Sequence, residues 1–580
     1  MSDRVEYDVL LVGGSPSNLI LAHRLVDLAV ESGTSLTFCV LEKGKDFGAH
    51  IVSGAVSNPR VLKKVFPELA TPEQTDFPLE AVCRESFFSV LGLQNVWHVP
   101  KPLMPAGVRK EDYWVLTLSH VVKWLADRLQ AKIDAVENVH GDLFPGFAAH
   151  EAVYEQDRVI GVQVVEKASG NPDEENIYGR VVCFGDKGFV SRDVIAKFGL
   201  RRNPQKWSVG LKEVWSLPAD RDFSGQVWHT MGYPLTDGTF GGGFVYGMKD
   251  HKLAIGLILS LDSPNPNLNP QQRLQDYKKH PWIQAMIQGG AIQKYGAALL
   301  PEGGYYSLPD KFAIDGALFL GDALGVLDVS CLSGVDKAME TGYIAAEVIH
   351  DILKNGGDFT EAALAPYQNR VMEGFVGQEL RAGRYFREAW AENPRLLNDY
   401  LPEVTSGLDA GNPYLGLLNV GFKYNPLRAM GDALRLKKMI EGAIDIGPLT
   451  YKPDYQHIIP NYQPVLNEPS AYNDATILSR PDAVFYADPQ YHEGNLHIDE
   501  FNADVCVKCI STYEALQKTT PCVSDCTAEV HRIDDVDGLH KHGMSLENCI
   551  QCRTCEIVCP EVNLKVRPAE QGSGPDFMGL

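Results

Sequence analysis

Tyr7-Asp-Val-Leu-Leu-Val12, followed by Gly13-Gly14-Ser15-Pro16-Ser17-Asn18, is the stretch that decides the fold. A short apolar run, a glycine turn and an apolar-periodic segment through about Leu28 read as a buried parallel strand, a tight loop and a helix. A second strand, Leu36 to Leu41, ends in Glu42. In a dinucleotide-binding unit the helix N-terminus faces the pyrophosphate, and such an acid holds the ribose hydroxyls. The G-x-G-x-x-G frame falls on Gly13, Ser15 and Asn18, so two of its three glycines are replaced. A Rossmann-like unit without nucleotide is therefore the competing reading. Ser15-Pro16 reads as an N-cap followed by Pro at the first helical position. Ser15 and Asn18 predict a weakened pyrophosphate contact and a helix standing slightly further from the sheet.

A distant segment favours the nucleotide. Ala317 to Leu320 reads as a strand and leads into Gly321-Asp322, with Asp322 placed to meet the ribityl or pyrophosphate part of a flavin. Gly334, Ala338 and Gly342 then recur at four-residue spacing on a helix through about His350. The helix opening near Ser333-Gly334 can direct amides at a flavin; a small-residue face packed on the sheet is the plainer reading. Two nucleotide elements flanking a sheet-rich insertion are the layout of FAD-dependent oxidoreductases of the glutathione-reductase type.

Near the C-terminus, Cys549-x2-Cys552-x2-Cys555-x3-Cys559-Pro560 has the bacterial ferredoxin spacing. Upstream, Cys506-x2-Cys509-x12-Cys522-x3-Cys526 repeats the pattern with its middle gap stretched. With the usual cross-over, one [4Fe-4S] cluster takes Cys506, Cys509, Cys522 and Cys559, and the other takes Cys526, Cys549, Cys552 and Cys555. Ile510 to Pro521 is expected to form a loop beside the first cluster. Zinc held by CxxC pairs fits the even spacing less well.

At 580 residues, with 44% hydrophobic and 22% charged, the chain is globular material for two to four domains. The net charge of −22 argues against nucleic acid and against broad adhesion to anionic lipid. Cys39, Cys83, Cys183 and Cys331 read as buried free thiols, which suits a reducing compartment. No targeting segment or membrane-spanning run is visible.

From Glu42-Lys43 through Gly48-Ala49-His50-Ile-Val-Ser53-Gly54-Ala55 the chain resembles the electron transfer flavoprotein–ubiquinone oxidoreductases. The resemblance continues through Pro102–Pro105, Leu118–Leu125, Pro145–Ala149, Gly210–Trp215, Gly241–Tyr246, Lys279–Pro281, Tyr295–Ala297, Glu302–Pro309 and the flavin segment. Cys526, Cys549, Cys552 and Cys555 match that family's single cluster. The family usually carries GGGPAG in the phosphate loop and an acid at the position of Cys559. A run that helps its members contact the membrane is missing from 355–470.

The expected architecture is an α/β FAD-binding Rossmann-like domain of the glutathione-reductase type over 1–350. It holds an inserted mixed α+β domain at about 85–130 and 200–310. A helical region (351–447), an extended linker (448–472) and an α+β 2[4Fe-4S] ferredoxin-like domain (473–580) follow. The expected FAD contacts are Gly13, Gly14, Ser15, Ser17, Glu42, Lys43, Gly48, Ser53, Gly54, Gly321, Asp322 and Gly334. The resemblance implies electrons passing from an electron transfer flavoprotein or ferredoxin-like donor, through two clusters and FAD, to a quinone. No acid–base pair is demanded, and His50 and Cys331 read as core residues. The expected location is cytoplasmic, peripheral on the inner membrane or docked on a membrane complex. Two other readings are a flavin-dependent prenyl (geranylgeranyl) reductase and a cluster subunit whose flavin site has degenerated.

Overall fold

The computed structural model describes residues 6–53, 55–164, 176–263, 265, 267–391, 396–441, 443–444, 447–451, 468–469, 472–491, 497–569 and 571–580. β1 (Glu6–Val12) is central in an eight-stranded sheet whose middle strands run parallel. Asn176–Phe184 and then Ala317–Phe319 flank it on one side, β2 (Leu36–Glu42) and then Val139–Pro145 on the other. Val9, Leu10 and Leu11 are fully buried, as the unbroken apolar run of a strand covered on both faces requires.

α1 (Pro16–Ser32) packs against the helix Val335–Lys354. A Cβ at Gly342 would lie 1.9 Å from the Ser17 carbonyl oxygen, so that glycine is what lets the two helices touch. The small-residue face therefore meets α1. Leu118–Asp134, most of which was expected in the inserted domain, also packs on α1 and buries Leu125 in the same core. Its apolar face is completed by the nucleotide-type unit.

The inserted domain is a seven-stranded sheet in the order Ala291–Pro301, Trp207–Ser216, Lys252–Ser260, Gly241–Met248, Gln226–Gly232, Glu85–Leu91, Val96–His98. Neighbours are antiparallel except Gln226–Gly232 beside Glu85–Leu91. Its hydrophobic core runs on without a break into Cys526, Cys549, Cys555, Cys559, Phe577 and Leu580. The cysteine region is thus packed into this sheet.

The helical expectation over 351–447 is met by short pieces. The periodic stretch Tyr367 to Arg387 is interrupted at Gly374 and Gly383, each of which closes one helix. Pro413–Tyr424 and Pro426–Ile440 follow. Most of the 448–472 linker lies outside the described residues. Its start is pinned where Tyr451 N–H donates to Asn203 Oδ1 at 3.0 Å.

In the C-terminal region Ile498–Glu500 pairs with Leu564–Val566, and His531–Val536 with Leu539–Met544. Helices Ala503–Ala515 and Thr554–Val558 lie between them in sequence. Residues 510–515, expected in a loop, continue the first helix because Ile510 and Tyr513 bury one face of it. The last residues return to the first domain: Phe577 N–H donates to the Ala49 carbonyl at 2.7 Å, and Leu580 is fully buried.

Candidate functional site

The α1 N-terminus is built as its sequence suggests. Ser15 is the N-cap, its hydroxyl accepting from Asn18 N–H at 3.4 Å, and Pro16 opens the helix. Asn18 departs from expectation. Its Nδ2 donates to the Val12 and Gly13 carbonyls, both at 2.9 Å, so the side chain points into the strand–helix crossing. Gly185, just past Asn176–Phe184, makes the room: a Cβ there would lie 2.6 Å from both Asn18 Nδ2 and Ser15 Oγ.

Glu42 is buried at the end of β2. Its two carboxylate oxygens accept from Gly14 N–H at 3.0 Å and Gly44 N–H at 2.7 Å. Burial raises its pKa, against the pull of Lys43. Lys43 is buried too and donates to Gln551 Oε1 at 2.8 Å. Burial first, then Arg553 and Lys187, bring the Lys43 ammonium down to about 7. Burial and Arg192 lower Arg553 to about 9. Arg553 pairs with the buried Glu556, its Nε donating to Oε2 at 3.0 Å, and a second anion beside it would offset the remaining positive charge.

A cavity of about 480 Å³ opens from this loop. Among the expected residues, Gly13, Gly14, Ser15, Ser17, Glu42, Lys43, Ser53, Asp322 and Gly334 line it. Gly48 serves packing instead: at φ +93° it turns so closely that a Cβ would lie 2.2 Å from the Ser119 carbonyl oxygen. Gly321 sits behind the wall, its N–H donating to Thr341 Oγ1 at 3.0 Å. Gly54 lies outside the described residues. Asp186 was not anticipated. It lines the cavity, one oxygen accepting from Val190 and Ser191 N–H while the buried other has no partner. Its place just past a third parallel strand is the signal that could have found it. Gln551, Cys552 and Arg553 also line the cavity, and the far end is walled by Phe240–Gly243, Leu300–Glu302 and Trp390.

The eight C-terminal cysteines form two adjoining groups. Cys559, Cys509 and Cys506 lie near enough to Cys522 to act on it electrostatically, and Cys552, Cys526, Cys549 and Cys522 act likewise on Cys555. Several sulfurs are met by hydrogen-bond donors. Asn563 donates from its backbone to Cys559 and from its side chain to Cys506, both at 3.2 Å. Val530 N–H meets Cys526 at 3.2 Å, Gln551 N–H meets Cys549 at 3.3 Å, and Thr527 Oγ1 meets Cys552 at 3.4 Å. Such donors favour thiolates. Zinc at about 2.3 Å from four thiolates would set the sulfurs about 3.8 Å apart. Among the described residues two groups of three ligand atoms lie within 4.8 Å of one another: Glu500–Cys506–His542 and Asp328–Cys331–Glu379. Neither holds two cysteines, so among the described residues no three of the sulfurs lie as close together as thiolates on one zinc would.

Residues 207–300, which carry most of the inserted sheet, match the family model described as "ETF-QO, ubiquinone-binding". An electron transfer flavoprotein-ubiquinone oxidoreductase of Arabidopsis thaliana is 30% identical, the alignment covering 99% of this chain and 84% of that protein. One from Pseudomonas aeruginosa is 28% identical, with 99% of each chain covered. Among solved structures, a geranylgeranyl bacteriochlorophyll reductase-like protein of Thermoplasma acidophilum superposes with a TM-score of 0.53 at 16% identity. That match covers 75% of this chain and all of the other, and shows a shared fold alone. Together with the crossing loop, the cavity and the matched sheet, the full-length similarity shows that this chain belongs to the electron transfer flavoprotein–ubiquinone oxidoreductase family.

Proposed function

We propose that this chain takes electrons from a reduced electron transfer flavoprotein and delivers them, through two [4Fe-4S] clusters and FAD, to a quinone. One observation carries the reading: a single cavity touches the Gly13–Ser17 loop, the Cys552 loop and the sheet matched by the ubiquinone-binding family model. Amides at the α1 N-terminus and the cations Lys43 and Arg553 would hold the pyrophosphate. Glu42, Asp322 and the Gly334 helix opening would hold the ribose and ribityl parts. The two cysteine groups would hold the clusters, in a ferredoxin-like domain. Clusters pass one electron at a time and a flavin stores two, which matches one-electron donors to a two-electron acceptor. The prenyl reductase reading has only the fold likeness behind it. The flavin-less reading requires a collapsed site, and the cavity retains nine of the expected contacts.

We also place the protein peripherally on a membrane. Among the described residues no helix is long and apolar enough to cross one. Yet Tyr414, Leu417, Leu418, Phe422, Leu427 and Met430, on the two consecutive helices Pro413–Tyr424 and Pro426–Ile440, are 49% to 85% exposed. Arg428, Arg435, Lys437 and Lys438 stand exposed beside them. Apolar side chains interleaved with cations are what an interfacial helix needs, and the cations offset the chain's overall acidity there.

The test is anaerobic purification, quantification of flavin and iron, and quinone reduction driven by reduced electron transfer flavoprotein. About eight iron and one FAD per chain, with quinone turnover, are expected. A chain that binds no FAD when reconstituted with excess, or reduces no quinone, overturns the reading. Phe422→Ser with Leu427→Ser should release the protein from vesicles; unchanged binding overturns the membrane assignment.

A further inference from the structure

We propose that Glu302 hands protons to the quinone, and that Ser208, Ser260 and Asp262 refill it from solvent. This deepens the quinone-reductase reading above and rests on it. Two-electron reduction turns both quinone carbonyls into hydroxyls, so each turnover needs two protons at the acceptor. Reduced electron transfer flavoprotein is oxidised and supplies the two electrons. The protons must cross the wall of the apolar cavity.

Glu302 follows the edge strand Ala291–Pro301 and lines the cavity beside Phe240, Leu300 and Trp390. Its side chain is 6% exposed. The Trp390 indole N–H lines the same end, buried and without a hydrogen-bond partner, a ready donor for a quinone carbonyl. Behind the wall, Ser208 Oγ donates to Glu302 Oε2. Ser208 and Ser260 are directly opposed on neighbouring antiparallel strands. Opposed side chains share one face with Cβ atoms about 5 Å apart, room enough for one water to join the two hydroxyls. Ser260 Oγ donates to Asp262 Oδ1, and the Asp262 side chain is 31% exposed. Hydroxyls and carboxylates therefore run from the cavity to solvent.

Arg387 holds the two ends of this path together. Nη1 donates to Glu302 Oε2 at 3.3 Å, and Nη2 donates to Ser260 Oγ and to Asp262 Oδ1, the latter at 2.8 Å. Other charged or titratable groups close by, among the described residues, include Lys206, 3.2 Å from Asp262 Oδ2, Glu388, and Tyr451, which burial keeps a neutral phenol. The shared guanidinium does not equalise the acids. Burial raises Glu302 above the ordinary carboxylate range, with Arg387 opposing. Burial also opposes ionisation of Asp262, but Arg387 and Lys206 outweigh it and hold that acid well below its ordinary range. Two carboxyl groups pushed apart in this way can serve as a proton donor and a charged relay. In each transfer the Glu302 O–H bond breaks, its proton joins a quinone oxygen, and a solvent proton replaces it.

The test compares two acceptors on the intact holoenzyme, a quinone and the ferricenium ion, which takes an electron and no proton. Glu302→Gln should lower quinone-linked turnover by about 100-fold and leave ferricenium-linked turnover within about twofold. Glu302→Asp should restore part of the quinone rate. Asp262→Asn should slow quinone reduction less and enlarge its solvent deuterium isotope effect. Quinone rates within about twofold of wild type for Glu302→Gln across about pH 6 to 9 would overturn the proposal. So would parallel losses with both acceptors, which mark a structural role. A wild type that reduces ferricenium but no quinone would instead overturn the quinone reading itself.

Discussion

The Gly13–Asn18 loop and the Cys549–Cys559 loop both line the same cavity, yet they treat their motifs differently. The first keeps one of three expected glycines; the second keeps every cysteine. A glycine motif asks for empty space, and a neighbour can leave that space. Gly185 does so here, and Asn18 fills it while tying the strand to the helix. A ligand motif asks for particular atoms, and no neighbour can stand in for a missing sulfur. The first motif is therefore open to substitution and the second is closed.

The largest expected effect is at the closed motif. Cys555→Ser, in the group that reaches the cavity through Cys552, should abolish electron delivery to the quinone and remove about four of about eight iron. Quinone turnover at full rate in that variant would break the contrast between the loops. Cys506→Ser, in the outer group, should also lose about four iron while the spectroscopic signature of the inner cluster persists. Four iron in fully reconstituted wild type would mean that the outer cysteines hold no cluster.

The open motif should show stability effects instead. Asn18→Gly restores the family glycine but deletes three side-chain hydrogen bonds, to the Val12, Gly13 and Cys183 carbonyls. A loss of about 1–3 kcal/mol is expected in thermal unfolding, with no gain in flavin affinity. Tighter FAD binding in that variant would show that Asn18 obstructs the site after all. The smallest effect belongs to Ser15→Gly, because glycine serves nearly as well at an N-cap. A few tenths of a kcal/mol and unchanged flavin content are expected; a loss of FAD would assign the Ser15 hydroxyl a direct phosphate contact.

Much of the site was legible in the residues themselves. Strand, turn and acid from Tyr7 to Glu42 follow from local apolar pattern, and local pattern is set by which side chains must leave water. The cysteine spacings announce two groups of thiolates for the same reason of chemistry in sequence. Asp186, Gln551 and Arg553 were not legible as cavity residues, since each arrives from a segment distant from the phosphate loop. The helix through residues 510–515 was hidden by a gap counted only between cysteines.

What the sequence alone determined is therefore local: the crossing unit, the buried strands and the spacing of the candidate ligand sulfurs. Tertiary structure alone decided which empty space serves which side chain. It placed Gly185 under Asn18, Gly342 against Ser17, and Glu302 and Asp262 on one guanidinium. These pairings join residues 85 or more positions apart, and only the packing of the sheets brings them within reach.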